Sequence, residues 1–183
     1  MRGLEGRKVG LALIGAQMLS LALAGASRAP AADGGAGRGA WPRVYTGTAF
    51  GPTLRWALDG AARRLESPGC QAVFAEFQDE RGRPLLERLA ELGVSGPSYL
   101  EWVIFYDGTS MRTCEREGVL AFTAQGHRVV YICRERFQRE WRAGQTRLVE
   151  SVLIHEMLHT LGLGENPPSS QAITHQVLNR CAS

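Results

Sequence analysis

A chain of 183 residues with 44% apolar and 21% charged side chains has the size and composition of one globular domain around a single core. Twenty of its twenty-one cations are arginines scattered among eighteen carboxylates, and the formal net charge is only +3. That balance argues against the concentrated basic footprint of a nucleic-acid binder.

The N-terminus has the pattern of an export signal. Arg2, Arg7 and Lys8 form a basic flank, residues 9–23 are an apolar run, and Ala24-Gly25-Ala26 fits a small-x-small cleavage site. The apolar run lies near the lower length limit for spanning a bilayer, and no cysteine sits near the cut to carry a lipid. The expected organisation is a signal peptide at 1–26, a flexible Ala/Gly-rich linker at 27–42 and one folded domain at 43–183. Cleavage removes three cations and one anion and so takes the net charge from +3 to +1. A secreted or periplasmic monomer is expected, bound neither to nucleic acid nor stably to a membrane.

Pro52 is suited to the first position of a helix carrying Leu54, Trp56, Leu58, Ala61 and Leu65, which Ser67-Pro68-Gly69 stops. Residues 72–77 suggest a first strand and residues 79–82 a turn. Helical spacing returns over 84–92, where Leu85, Leu86, Leu89 and Leu92 share a side and Gly93 ends the run. Residues 99–106 read as a buried strand closed by Asp107-Gly108. Residues 119–123 and 128–133 suggest a hairpin, with His127 solvated in its turn. A short amphipathic helix over 134–142 places Phe137 and Trp141 four apart, and Thr146 opens a longer helix. Ser169 or Ser170 caps a last helix running to Cys181. The strands are too few for a doubly wound sheet, so the expected class is α+β with a mixed sheet.

Chemistry concentrates in the helix that Thr146 opens. Residues 148–163 are almost continuously apolar, and within them stands His155-Glu156-Met157-Leu158-His159. Residues four apart stack on one helix face, so His155 and His159 can aim two imidazoles at one ion, an arrangement zinc favours. Glu156 lies about 100° around the helix, beside the ion without ligating it, where a general base belongs. Histidines and a glutamate on so apolar a helix are costly unless something binds them. Gly162 is placed to cap the helix and Gly164 to turn the chain, so that Glu165 arrives ten residues after His155.

The string His-Glu-x-x-His-x-x-Gly-x-x-Glu resembles the metzincin signature of the zincin metallopeptidases. It departs from that family at Glu165, where metzincins usually place histidine. A second departure is that no methionine follows Met157 to make their methionine turn. The segment from Leu161 to Ser170 resembles secreted bacterial proteins of metallopeptidase type. The resemblance implies a small zincin-like domain, its mixed sheet packed on the active-site helix, binding Zn2+ through His155, His159 and Glu165 with Glu156 catalytic. His175, on the last helix, is the alternative third ligand. Tyr106 and Tyr131 are candidates to hydrogen-bond a reacting carbonyl, and residues 119–123 a strand to hold a peptide.

Four cysteines behind an export signal imply two disulfides with three possible pairings. Cys114 and Cys133 flank the predicted hairpin, leaving Cys70 with Cys181; no C-x-x-C spacing suggests a cysteine metal site. Two functions remain open: a secreted zinc-dependent hydrolase acting on peptide or protein, and a non-catalytic binding module stabilised by metal.

Overall fold

Helix α6 (Thr146–Thr160) is buried along nearly its whole length, with Val149, Leu153, Ile154, Met157 and Leu158 fully enclosed. Such a helix has no solvent face and must be covered on every side. In the computed structural model, which describes residues 42–182, α1 (Gly51–Leu65), α5 (Arg134–Arg142), α7 (Ser170–Arg180) and the sheet supply that cover. The expected signal segment, and all but the last residue of the expected linker, lie outside the described residues.

The sheet has four strands, β1 (Arg43–Tyr45), β2 (Ile104–Asp107), β3 (Ala121–Thr123) and β4 (Val129–Ile132), in the order β1-β2-β4-β3. β1, β2 and β4 are parallel, and β3 returns antiparallel to β4 to form one edge. Helices and a mixed sheet around one core make this a small α+β domain. Phe50, Phe74, Phe105 and Phe137 join the α6 leucines in that core. On the opposite sheet face the register aligns Tyr45, Tyr106, Tyr131 and Phe122 in one row across all four strands.

Two expected strands are corrected. Residues 72–77 belong to α2 (Pro68–Glu76), in which the Ser67 hydroxyl accepts from the Cys70 amide and Pro68 occupies the first turn. Cys70, Val73 and Phe74 then bury one face at helical spacing. The expected strand at 99–106 divides into α4 (Gly96–Leu100), capped by Ser95, and β2. β1 has no counterpart among the expected elements. In α3 (Leu85–Leu92), Leu85 and Leu89 are buried while Leu86, one position around the helix, faces water. The remaining helices and the hairpin fall where expected, and Ser169 caps α7 by accepting from the Ala172 amide.

Both expected disulfides are present. Cys114–Cys133 ties the turn before β3 to the end of β4, and Cys70–Cys181 ties α2 to the end of α7. Beside the second lies a buried polar tie. Arg64 on α1 donates from Nε to Glu150 of α6 at 2.6 Å and from Nη1 to the Cys181 carbonyl at 2.7 Å. Gly60 makes room for this pair, because a Cβ at that position would meet the Glu150 carboxylate. No described helix is long and apolar enough to cross a membrane.

Candidate metal centre

The last turn and a half of α6 carries the polar cluster. His155, Glu156 and His159 are 4%, 6% and 6% exposed. Four-residue spacing stacks the two imidazoles, and their Nε2 atoms stand 2.9 Å apart. The helix then closes in a Schellman motif. The Gly162 amide donates to the His159 carbonyl at 3.0 Å and the Leu163 amide to the Leu158 carbonyl at 3.1 Å. This closure requires Gly162 at φ +115°, a left-handed conformation that side chains disfavour. Gly164 is not left-handed; the second positive φ of the loop, +64°, falls on Asn166. A Cβ at Gly164 would make only ordinary contact with Gln125.

The loop returns Glu165 to the cluster from the solvent side. Its Oε1 lies 3.3 Å from His159 Nε2 and 3.8 Å from His155 Nε2. These three residues form a group able to hold a metal ion. Two imidazole nitrogens and one carboxylate oxygen fit a divalent ion of borderline softness, and a tetrahedral ion held by three such ligands keeps one position open.

The far ring nitrogens are anchored. His159 Nδ1 is 2.7 Å from the Leu163 carbonyl. A carbonyl can only accept, so the ring proton sits on Nδ1 and the Nε2 lone pair faces the cluster. His155 Nδ1 is 2.8 Å from the Thr174 hydroxyl of α7, which can accept or donate and so serves either tautomer. Burial, with His159 alongside, lowers the His155 pKa to about 3 in the metal-free protein. The ring is therefore neutral at physiological pH, the form that ligates.

Glu156 has no cation beside it among the described residues. Burial and the negative charge of Glu165 push its pKa up to about 8, against a lowering hydrogen bond from the Thr123 backbone amide. That amide belongs to the open edge of the sheet. The Leu120 carbonyl accepts from the Cys133 amide, so alternation turns the N–H and C=O of Ala121 and Thr123 away from β4. β3, Glu156, His159 and Glu165 together line a cleft of about 480 Å³.

Of the other sequence candidates, His175 is exposed and hydrogen-bonds Asn179, so α7 offers Thr174 to the cluster in its place. Tyr106 and Tyr131 stand in the aromatic row and do not line the cleft. Residues 119–123 do line it, through Val119, Ala121, Phe122 and Thr123. Sequence reading missed Thr174, the Leu163 carbonyl and the Thr123 amide. Only Thr174 carries a signal in the sequence, as a polar side chain next to His175.

Comparison with known proteins finds no matching family model, no matching curated sequence and no matching solved structure.

Proposed function

We propose that this protein is a zinc-dependent hydrolase, a metalloendopeptidase acting as a monomer on peptide or protein outside the cytoplasm. The observation that carries the reading is Glu156. A buried carboxylate with no cation beside it stands between two convergent histidines and faces an open sheet edge. A structural role gives no reason to tolerate that cost. The two disulfides are compatible with an oxidising compartment, and the His-Glu-x-x-His resemblance to zincins supports the reaction class.

His155, His159 and Glu165 are the residues that would hold the ion, with Thr174 and the Leu163 carbonyl fixing the two rings. Zinc bound there supplies a Lewis acid that polarises a carbonyl and acidifies water. The free N–H and C=O of Ala121 on β3 pair with an extended peptide as an added strand, which brings a backbone amide past Glu156. Glu156, which shares the cleft with β3, takes the proton of the attacking water as the C–O bond forms. It returns that proton to the departing nitrogen as the C–N bond breaks.

The test pairs metal content with hydrolysis on the same preparations. Wild type is expected to hold one zinc and cleave members of a broad peptide library, while His155→Ala and His159→Ala lose stoichiometric zinc. Glu165→Ala should weaken zinc far more than His175→Ala. Glu156→Gln should keep zinc and lose about 10²–10⁴ in rate, the range of general acid–base catalysis. A zinc-loaded wild type that cleaves nothing would leave the metal structural and the protein a binding module.

A further inference from the structure

On the far side of Gln125 from the metal cleft lies a second cavity, of about 340 Å³. Gln125 lines both spaces and donates from Nε2 to the Gly162 carbonyl at 2.7 Å. Next to it, the Gly126 amide donates to the His159 carbonyl at 2.8 Å, which pins the β3–β4 turn to the end of α6. The two cavities are therefore neighbours along the direction in which β3 runs.

The second cavity is lined by four arginines, Arg81, Arg83, Arg88 and Arg128, with Tyr99 among the buried residues of its wall. The carboxylates around them are Asp79, Glu80 and Glu91, which leaves a net charge of +1. Arg83 is held by Asp79 at 2.9 Å and by Glu91 at 2.7 Å, and Arg88 by Glu91 at 2.9 Å. Arg81 and Arg128 form no ion pair among the described residues. The Arg128 guanidinium is seated 5.6 Å from the centre of the Trp102 ring, a cation–π contact that leaves its N–H groups free. Arg88 and Arg128 line this cavity together with Tyr99. Two of the carbonyls at the end of α6 already accept hydrogen bonds. Thr160 accepts from Tyr99 at 3.2 Å, and His159 accepts from the Gly126 amide.

Planar guanidiniums with free donors in a concave, positively charged space match a carboxylate. A peptide extended along the β3 edge passes the Thr123 amide beside Glu156 and leaves over Gln125. At ~3.3 Å per residue, its side chains reach the second cavity roughly two to four positions from the cleaved bond. We infer that this cavity binds the acidic side chain of a peptide held on β3, with Arg81 and Arg128 as its partners, so that the substrates are acidic on one side of the scissile bond. The inference rests on the peptidase reading above.

The test separates the two. The zinc-loaded Glu156→Gln protein keeps the cleft but does not turn over, so binding is read from it by calorimetry, whatever the wild type cleaves. Peptides carrying Asp or Glu two to four positions from the centre, on one side, are compared with their Asn or Gln counterparts. The acidic peptides should bind about tenfold to a hundredfold tighter, the size of a charge-assisted hydrogen bond. Adding Arg81→Gln and Arg128→Gln to that protein should bring the ratio close to one while zinc content stays at one. Equal binding of acidic and amide peptides overturns the inference, as does a preference that survives the double change. Tight binding of inorganic phosphate without any acidic-peptide preference would assign the cavity to a free anion and overturn the peptide assignment. Acid-selective binding with no cleavage by the wild type would instead sink the peptidase reading and leave this site standing.

Discussion

Helix α6 buries two glutamates six residues apart, and the protein treats them in opposite ways. Glu150 is 8% exposed and meets Arg64 at 2.6 Å, while Gly60 clears the space for the pair. Glu156 is 6% exposed and meets no cation; its neighbours are the two histidines, the Thr123 amide and the negatively charged Glu165. Burial disfavours a charged carboxylate at both positions, but only one is neutralised by an opposite charge. The first arrangement holds three elements together: α1, α6 and the end of α7. The second leaves a carboxylate in a cleft with no opposite charge beside it, where burial and Glu165 raise its pKa in the metal-free protein. Placement on the same helix therefore says little about what a buried acid does, and the charges arriving from other elements say a great deal.

The largest expected effect is the one that would break the comparison outright. Glu156→Gln should lower hydrolysis by about 10²–10⁴ while leaving Tm unchanged or higher, because the amide removes a buried group whose charge nothing offsets. A lowered Tm would make Glu156 a structural residue like Glu150.

Arg64→Leu should behave in the reverse sense. Leaving Glu150 buried without its partner is expected to cost about 3–5 kcal/mol in denaturant unfolding, with zinc content and rate per folded molecule unchanged. Replacing both partners, Arg64→Leu with Glu150→Met, should recover most of that loss, since a well-packed apolar pair often substitutes for a buried ion pair. A double variant no more stable than Arg64→Leu would remove the pairing explanation.

Thr174→Val sharpens the chemical side alone. It removes the hydroxyl that orients His155 and should weaken zinc affinity by about 10–100-fold, the usual effect of a residue that positions a ligand. A competition titration against a chelating dye reads this directly, and the metal-free variant should lose only the ~1–3 kcal/mol of one buried hydrogen bond.

Per pH unit, the smallest effects are the pH limbs of the metal-free protein. His155 is held at about 3 against an ordinary 6.5, so the unfolded chain binds the extra proton between those values. Stability should therefore fall as pH drops from 6.5 toward 3, by no more than about 1.4 kcal/mol per pH unit. Glu156 is held at about 8 against 4.5, so the folded state binds the extra proton, and stability should fall as pH rises from 4.5 to 8. Urea unfolding across this range should show the acid limb flattened in His155→Gln and the alkaline limb flattened in Glu156→Gln. An alkaline limb unchanged in Glu156→Gln would place the titrating group elsewhere.

Much of this domain was legible in one dimension because its signals are local. Helical spacing, together with Pro52, Gly93, Thr146 and Ser169, marked α1, α3, α6 and α7, and the four-residue step between His155 and His159 announced a shared face. The misreadings at 72–77 and 99–106 have a common source. Short apolar runs suit a strand or a buried helix equally well, and there the caps Ser67 and Ser95 decided. β1 is three residues long and has no period of its own; it exists because β2 offers a parallel edge.

The sequence by itself determined that two histidines and a glutamate share one turn of a buried helix, and that Glu165 follows a glycine stop. Those are consequences of 3.6 residues per turn and of the freedom glycine has at positive φ. Only the tertiary structure decided that Thr174 rather than His175 meets His155, that Thr123 of β3 shares a cleft with Glu156, and that Arg64 finds Glu150. Each of these joins residues 19 to 86 positions apart in the chain. Whether a side chain four bonds from its backbone reaches its partner depends on how whole elements pack, and helical periodicity carries no information about that.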